Sequence, residues 1–314
     1  MTKASGILVL GGSGFAGQRL LPHLPPPVYI ISRRQFYGLR HGVHAFRTNL
    51  DDIPTLKQIL PKCRWVVHLA SDSTPGTSAG KPRFEAEHNI VPTVRFLDVL
   101  QSYPQVKLIY LSSGGAVYGN PGHTSVHEDT PLNPLSYYAA GKITNEAFIA
   151  ALTNQSPRYA AILRPSNFYG PGQRYRPGFG IIPTILEHQR IGKPLQIWGD
   201  GENVRDYLFI DDFVHLCLLM LQNKNTEPGT HIYNVGSGFG YSLNQLCELL
   251  EKVTGEIVLR EYRSTRVVDV RHIVLDSSRI QSACGWQALT PLEEGLQKTV
   301  RWWTDNVHQA KPHM

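Results

Sequence analysis

Short apolar runs alternate with helix-length amphipathic segments through the first half of the chain. The clearest runs are Ile7 to Leu10, Val28 to Ile31, Trp65 to Leu69, Leu108 to Leu111 and Ala160 to Leu163. Each is too short for a helix, which predicts strands buried on both faces. The segments between them predict helices over Phe15 to Leu21, Asn89 to Ser102 and Tyr137 to Leu152. Such alternation predicts an α/β chain, a doubly wound parallel sheet covered by helices on both faces. Pro22 and the Pro25-Pro26-Pro27 triplet stop the first helix early. After Gly170 the chain becomes rich in Gly, Pro and Arg from Pro171 to Gly180, a passage into a second region and a candidate lid or substrate-binding segment. Tyr233-Asn234-Val235-Gly236 predicts a strand that returns to the first sheet. The expected division is therefore 1–170 with a returning segment near 205–240, and a smaller, interleaved α/β region made mainly of 171–314.

Two local patterns carry chemistry. Gly11-Gly12-Ser13-Gly14-Phe15-Ala16-Gly17 follows the first strand and opens the first helix. Glycines there allow a tight turn and close backbone approach, and the helix start points N–H groups at a pyrophosphate. Alone, such a run also suits plain strand-turn-helix packing. The second pattern is Tyr138-Ala139-Ala140-Gly141-Lys142, preceded by Ser112-Ser113-Gly114-Gly115-Ala116-Val117-Tyr118-Gly119. Residues four apart share a helix face, so Tyr138 and Lys142 are expected side by side, the ammonium lowering the phenol pKa toward a working range. Alone, that spacing is common on amphipathic helices. The two patterns in this order point to a dinucleotide-dependent dehydrogenase site.

With them stand Val66-Val67-His68-Leu69-Ala70, Arg164-Pro165-Ser166-Asn167-Phe168-Tyr169-Gly170-Pro171-Gly172, Trp198-Gly199-Asp200-Gly201 leading to Arg205-Asp206-Tyr207, and Arg266-Val267-Val268-Asp269-Val270. Leu275-Asp276 and Gly285-Trp286 close the series. In this order, over nearly the whole chain, the sequence resembles the extended short-chain dehydrogenase/reductases of the nucleotide-sugar epimerase, dehydratase and reductase type. The resemblance implies a Rossmann-type sheet binding NAD or NADP in 1–170, a nucleotide-sugar substrate held mainly by 171–314, and a homodimer formed through the Asn89 to Ser102 and Tyr137 to Leu152 helices. Packing of those helices on the sheet explains their apolar faces equally well.

Composition narrows the picture. The 314 residues are 41% hydrophobic and 18% charged, as in a globular protein. The net charge of +6 is scattered along the chain, which suits anionic nucleotide ligands better than nucleic acid. Cys63, Cys217, Cys247 and Cys284 are far apart and lack metal-ligand spacing, so no metal site or disulfide framework is expected and the thiols are read as buried. No run reaches the roughly 20 apolar residues needed to span a bilayer, and a cytoplasmic protein without membrane contact is inferred.

For the cofactor, the second strand ends in Ser32-Arg33-Arg34 with no acidic residue to hold ribose hydroxyls. Arginine there accommodates a 2′-phosphate, which favours NADP. The alternative is NAD, with Arg33 or Arg34 stacked on adenine or turned to solvent. The resemblance implies that Gly11, Gly14, Phe15, Ala16, Gly17, Ser32, Arg33, Arg34, Asn49, Leu50, Leu69, Ala70, Tyr138 and Lys142 line the cofactor. Asn49 stands where relatives carry Asp.

Gly114 is a departure, because the family places a Ser or Thr there to bond the reacting sugar oxygen. Ser113 is the nearest replacement, with Ser73 and Thr74 as alternative sources of that hydroxyl. The resemblance implies that Tyr138 shuttles the proton while Lys142 holds the nicotinamide ribose. Asn167, Arg205, Arg266 and Asp269 match positions for the nucleotide diphosphate and its ribose, a role suited to the arginine fork. Dehydratases carry an Asp-Glu pair where this chain has Gly115 and Ala116, which cannot transfer protons. Three readings follow: an NADPH-dependent reductase of a 4-keto-6-deoxy nucleotide sugar, an NAD-dependent nucleotide-sugar 4-epimerase, or a dinucleotide sensor with weakened catalysis.

Overall fold

Apolar residues at successive positions need cover on both faces, and the strands built from them are almost wholly buried. β1 (Gly6–Leu10), β2 (Val28–Ser32), β3 (Val43–Arg47), β4 (Cys63–His68), β5 (Lys107–Leu111) and β6 (Tyr159–Pro165) lie in a parallel sheet of seven strands. The seventh is Gly229–Val235, the predicted returning strand, which gives the order Gly229–Val235, β6, β5, β4, β1, β2, β3. β1 sits near the middle, pairing with β2 through Ile7 to Val28 and with β4 through Ile7 to Trp65. Its carboxyl end therefore opens onto the loops after β2 and β4.

The computed structural model describes residues 4–122, 125–224, 226–265 and 270–308. Two compact units emerge. The first comprises Met1–Ser113, Ser136–Arg164 and Val214–Tyr233. Its core joins Leu8, Leu10, Val66, Leu108, Tyr110 and Ile162 of the sheet to Leu56, Phe96, Leu100 and Ile149 of the helices. Arg158 is fully buried there because its guanidinium donates to the carbonyls of Leu100, Tyr103 and Val106. The second unit comprises Gly114–Leu135, Pro165–Phe213 and Asn234–Met314. It holds a four-stranded sheet containing Asn167–Tyr169, Val204–Phe209, Gly240–Ser242 and His272–Ile273. The paired strands Leu195–Trp198 and Arg260–Arg263 belong to it as well.

Several boundaries differ from the sequence reading. Helical structure expected from Asn89 begins at Pro82, as Pro82–Glu85, a wider turn Ala86–Ile90, and then Val91–Leu100. Proline fits a first helical position because its missing N–H has no partner to lose there. The edge strand β3 was not anticipated, because half-exposed Val43-His44-Ala45-Phe46-Arg47 lacks a continuous apolar run. Cys63, Cys217 and Cys247 are buried, but Cys284 is only half-buried at the end of the helix Ser278–Cys284. No helix among the described residues is long and apolar enough to cross a membrane.

Candidate active site

At the end of β1 the backbone turns on glycine. Gly11 has φ +85°, and a β-carbon there would lie 2.6 Å from the Ala70 nitrogen. Gly17, in the helix Phe15–Leu20, would place a β-carbon 2.6 Å from the Gly11 carbonyl oxygen and the Gly12 α-carbon. At both positions a side chain would push turn, helix and β4 end apart. Gly14 is different: its nearest obstacle is the Gly11 oxygen at 3.3 Å, so the turn is open on that side. Its N–H donates to Gly11 at 3.0 Å, and Phe15 and Ala16 form the first helical turn, which contains no acidic residue. This cradle fits a dinucleotide pyrophosphate, which needs close backbone approach and no opposing negative charge.

Around the cradle, Leu69 donates its N–H to Leu10 at 2.9 Å and Ala70 forms the wall against Gly11. Ser32, 7% exposed, donates its hydroxyl to Ser13 at 2.9 Å and accepts the Arg34 N–H at 3.1 Å. Arg33 does not project freely: its fork grips Asp72, Nη1 to Oδ2 at 2.7 Å and Nη2 to Oδ1 at 2.6 Å. Asn49 is exposed just beyond β3, while half-buried Leu50 packs on the core.

The helix Tyr137–Asn154 carries the second pattern. Ser136 caps it by accepting the Ala139 N–H at 3.2 Å, and Ser78, remote in sequence, accepts the Tyr138 N–H at 3.2 Å. Together they satisfy N–H groups that a helix start leaves unpaired. Lys142, 5% exposed, donates Nζ to the Leu111 carbonyl at 2.8 Å and lies 5.6 Å from the Tyr138 ring centre. It lies 5.2 Å from the Tyr110 ring centre. Burial lowers its pKa to about 8, although Glu85 and Glu146 pull the other way.

Tyr138 departs from expectation. The half-buried phenol is pushed up to about 12, first by the protein that surrounds it and then by Glu85, with the Ser113 hydrogen bond opposing. Burial and Glu85 prevail over the lowering expected from Lys142, whose ammonium also donates to the Leu111 carbonyl. Ser113 is thus hydrogen-bonded to Tyr138, while Ser112 has another task. Its hydroxyl donates to Glu146, which is locked to Arg164 through Nη2 at 2.6 Å and Nε at 3.1 and 3.2 Å. His68, on β4 in the same unit, is buried edge-on to Phe96 and Tyr110 and held neutral, its pKa driven down to about 3 by burial and then by Lys142.

Ser73 and Thr74 do not offer the donor expected of them. Ser73 spends its proton on Glu85 Oε2 at 2.5 Å and accepts from Asn89 Nδ2 at 3.0 Å. Its hydroxyl keeps acceptor capacity only. Thr74 closes a local turn with Thr77, the two hydroxyls 3.2 Å apart. Glu85, Asn89, Ser78 and the Glu146–Arg164 pair escaped the sequence reading, because each partner lies on a different element.

In the second unit, Gly114 begins the short helix Gly114–Val117. Asn167 donates Nδ2 to the Asp206 carbonyl at 3.1 Å, and Arg205 donates Nη1 to the Val204 carbonyl at 2.8 Å. Asp206 is nearly fully buried and accepts from Ser237 N–H and Oγ at 2.9 and 2.8 Å, which anchors the strand carrying Arg205. Arg266 and Asp269 lie outside the described residues.

The chain is similar to known proteins over most of its length. The family model described as the NAD dependent epimerase/dehydratase family matches residues 7–236. A UDP-glucose 4-epimerase of Mycolicibacterium smegmatis is 33% identical over 76% of this chain and 75% of its own. A dTDP-4-dehydro-6-deoxyglucose reductase of Escherichia coli is 27% identical over 95% of this chain and 98% of its own. The solved UDP-glucose 4-epimerase of Thermotoga maritima, with UDP-glucose, superposes with a TM-score of 0.86 at 29% identity, covering 96% of this chain and 99% of that one.

Proposed function

Since the chain belongs to the NAD dependent epimerase/dehydratase family, we propose that it reduces the 4-keto group of a 4-keto-6-deoxy nucleotide sugar, with NADPH as reductant. The observation that carries this reading is the placement of Tyr138, its ring centre 5.6 Å from the buried Lys142 ammonium, in a unit whose second strand ends in arginines and no carboxylate. With its pKa raised to about 12 and Ser113 at its hydroxyl, the phenol is protonated at neutral pH, the form a keto reduction needs. A nicotinamide dinucleotide, when bound, supplies the hydride that adds to C4.

The chain's own residues do the rest. Tyr138 gives its proton to the oxygen as the carbonyl becomes a hydroxyl, and Ser113, beside it, donates a hydrogen bond to the same oxygen. Lys142 keeps a positive charge next to the phenol and stabilises the phenolate left behind. The Glu146 carboxylate ties down Ser112, which sets the backbone from which Ser113 projects. Elimination of water lacks its machinery, because Gly115 and Ala116 carry no acid or base. Asn167 and Arg205, with Arg266 and Asp269, are proposed to hold the nucleotide diphosphate. The exposed apolar residues Val91 and Phe148 on the two helices read as a dimer face suit pairing of two chains.

NADP is favoured by the absence of a carboxylate after β2 and by Arg34, which has no ion pair among the described residues. A second reading, NAD-dependent 4-epimerisation, is supported by Arg33, whose fork is already filled by Asp72. The two are separated by supplying a dTDP-4-keto-6-deoxy sugar with NADPH or NADH, and separately UDP-glucose without added cofactor. Stoichiometric oxidation of NADPH supports reduction. Conversion of UDP-glucose to its C4 epimer with no net cofactor change overturns it in favour of epimerisation, and turnover of neither with intact dinucleotide binding leaves a sensor.

A further inference from the structure

Gly141 sits inside an 18-residue helix, one residue before Lys142, where glycine costs about 0.5–1 kcal/mol relative to alanine. The reason lies on another element. A β-carbon at Gly141 would come within 2.9 Å of the Glu85 γ-carbon and 3.0 Å of its δ-carbon, and would also meet Oε1. Glu85 is only 3% exposed, at the end of the helix Pro82–Glu85, which packs on the helix Tyr137–Asn154. The carboxylate is aimed by Ser73, which donates to Oε2 at 2.5 Å, and Ser73 is itself held by Asn89 at 3.0 Å. Asn89 in turn accepts the Asp72 N–H at 2.8 Å, so the chain of contacts is anchored in the loop after β4. A buried acid and a missing side chain thus explain each other.

We propose that Glu85 is a positioning residue for the Tyr138–Lys142 couple, its carboxylate occupying the space vacated at Gly141 and presenting a fixed negative charge to the buried ammonium. The groups facing Lys142 are Tyr138 and Glu146 on its own helix, Tyr110 and the Leu111 carbonyl on β5, His68 on β4, and Glu85. Burial drives Lys142 toward its neutral form, and of the two carboxylates that oppose this, Glu146 is committed to Arg164. Glu85 is therefore the charge that keeps Lys142 cationic. The same charge disfavours a Tyr138 phenolate and so holds the phenol protonated. Burial raises the Glu85 carboxyl, while Ser73, Lys142 and Asn89 stabilise its ionised form. This inference rests on reading Tyr138 and Lys142 as proton donor and supporting cation, but its test needs no substrate.

The test is the titration of Lys142 by NMR of ε-¹³C-lysine protein without added cofactor or sugar, the resonance assigned by its loss in Lys142→Arg. Glu85→Gln keeps shape and removes charge, and is expected to move the Lys142 midpoint down by about one unit. Thermal melting of Gly141→Ala and of Gly141→Ala/Glu85→Ala supplies the geometric half. The single variant is expected to melt lower, and the double to recover most of the loss while showing the same Lys142 shift. An unchanged Lys142 midpoint in Glu85→Gln overturns the proposal, or in the double variant should Glu85→Gln not fold. So does a Gly141→Ala protein that melts like the parent. Failure of the sugar assays with the Lys142 shift intact would count against the substrate and leave Glu85 its role.

Discussion

Removing Glu146 should be far more damaging than its distance from any reacting atom suggests. Its carboxylate meets the Arg164 guanidinium through three contacts of 2.6–3.2 Å and accepts the Ser112 hydroxyl, with Arg164 and Glu146 side chains only 3% and 6% exposed. Glu146→Ala leaves the buried guanidinium without its carboxylate and a buried hydroxyl without its acceptor. Breaking a buried pair from one side costs about 3–5 kcal/mol, because an uncompensated charge remains. Replacing both partners by apolar residues of similar size removes that charge, so Glu146→Met/Arg164→Met should lose much less than the two single variants added together. The assay is urea unfolding followed by far-ultraviolet circular dichroism of Glu146→Ala and of the parent, Glu146→Met, Arg164→Met and the double Met variant, the last four forming a double-mutant cycle. A cost below about 1 kcal/mol for Glu146→Ala, or simple additivity in the cycle, would refute the reasoning.

Three further outcomes are expected. Tyr138→Phe should lower kcat by about 10²–10⁴ with dinucleotide binding retained, since a general acid is worth that much; equal turnover by the variant would favour the sensor reading. The Lys142 pKa is depressed from its ordinary 10.5 to about 8, so its charge is present below that pH and lost as pH rises through it, and kcat/KM should fall about tenfold per unit above pH 8; a flat profile to pH 10 would contradict this. Asp72→Asn should free the Arg33 fork and raise the preference for NADPH over NADH by about three- to tenfold in fluorescence titrations, modest because the pair is solvent-exposed; an unchanged ratio would remove Arg33 from cofactor choice.

What could be read in the sequence was what depends on neighbours along the chain. The strand runs, the glycine turn and the Tyr138 to Lys142 spacing are local periodicities, and the sheet follows from them. The seventh strand was legible only at its end, where Tyr233-Asn234-Val235-Gly236 resembles a returning strand, because its half-buried start from Gly229 to Ile232 has no continuous apolar run. Ser73 shows the limit: its hydroxyl looked available, but Glu85, placed against it by a helix that begins at Pro82, takes the proton. Arg33 reads alike with or without Asp72, yet its fork is filled only because the loops after β2 and β4 meet across β1. The Tyr138 pKa moved opposite to expectation for the same reason, since burial and Glu85 are properties of the packed unit rather than of helix spacing.

The central claim is that this site delivers hydride to C4 while Tyr138 delivers the proton. It is tested most directly by mass spectrometry and NMR of the sugar formed from a 4-keto-6-deoxy nucleotide sugar and NADPH deuterated at the nicotinamide C4. One deuterium at sugar C4 per dinucleotide oxidised, abolished in Tyr138→Phe, is the predicted result. A product without deuterium at C4, or unchanged keto sugar with deuterated dinucleotide tightly bound, would contradict it.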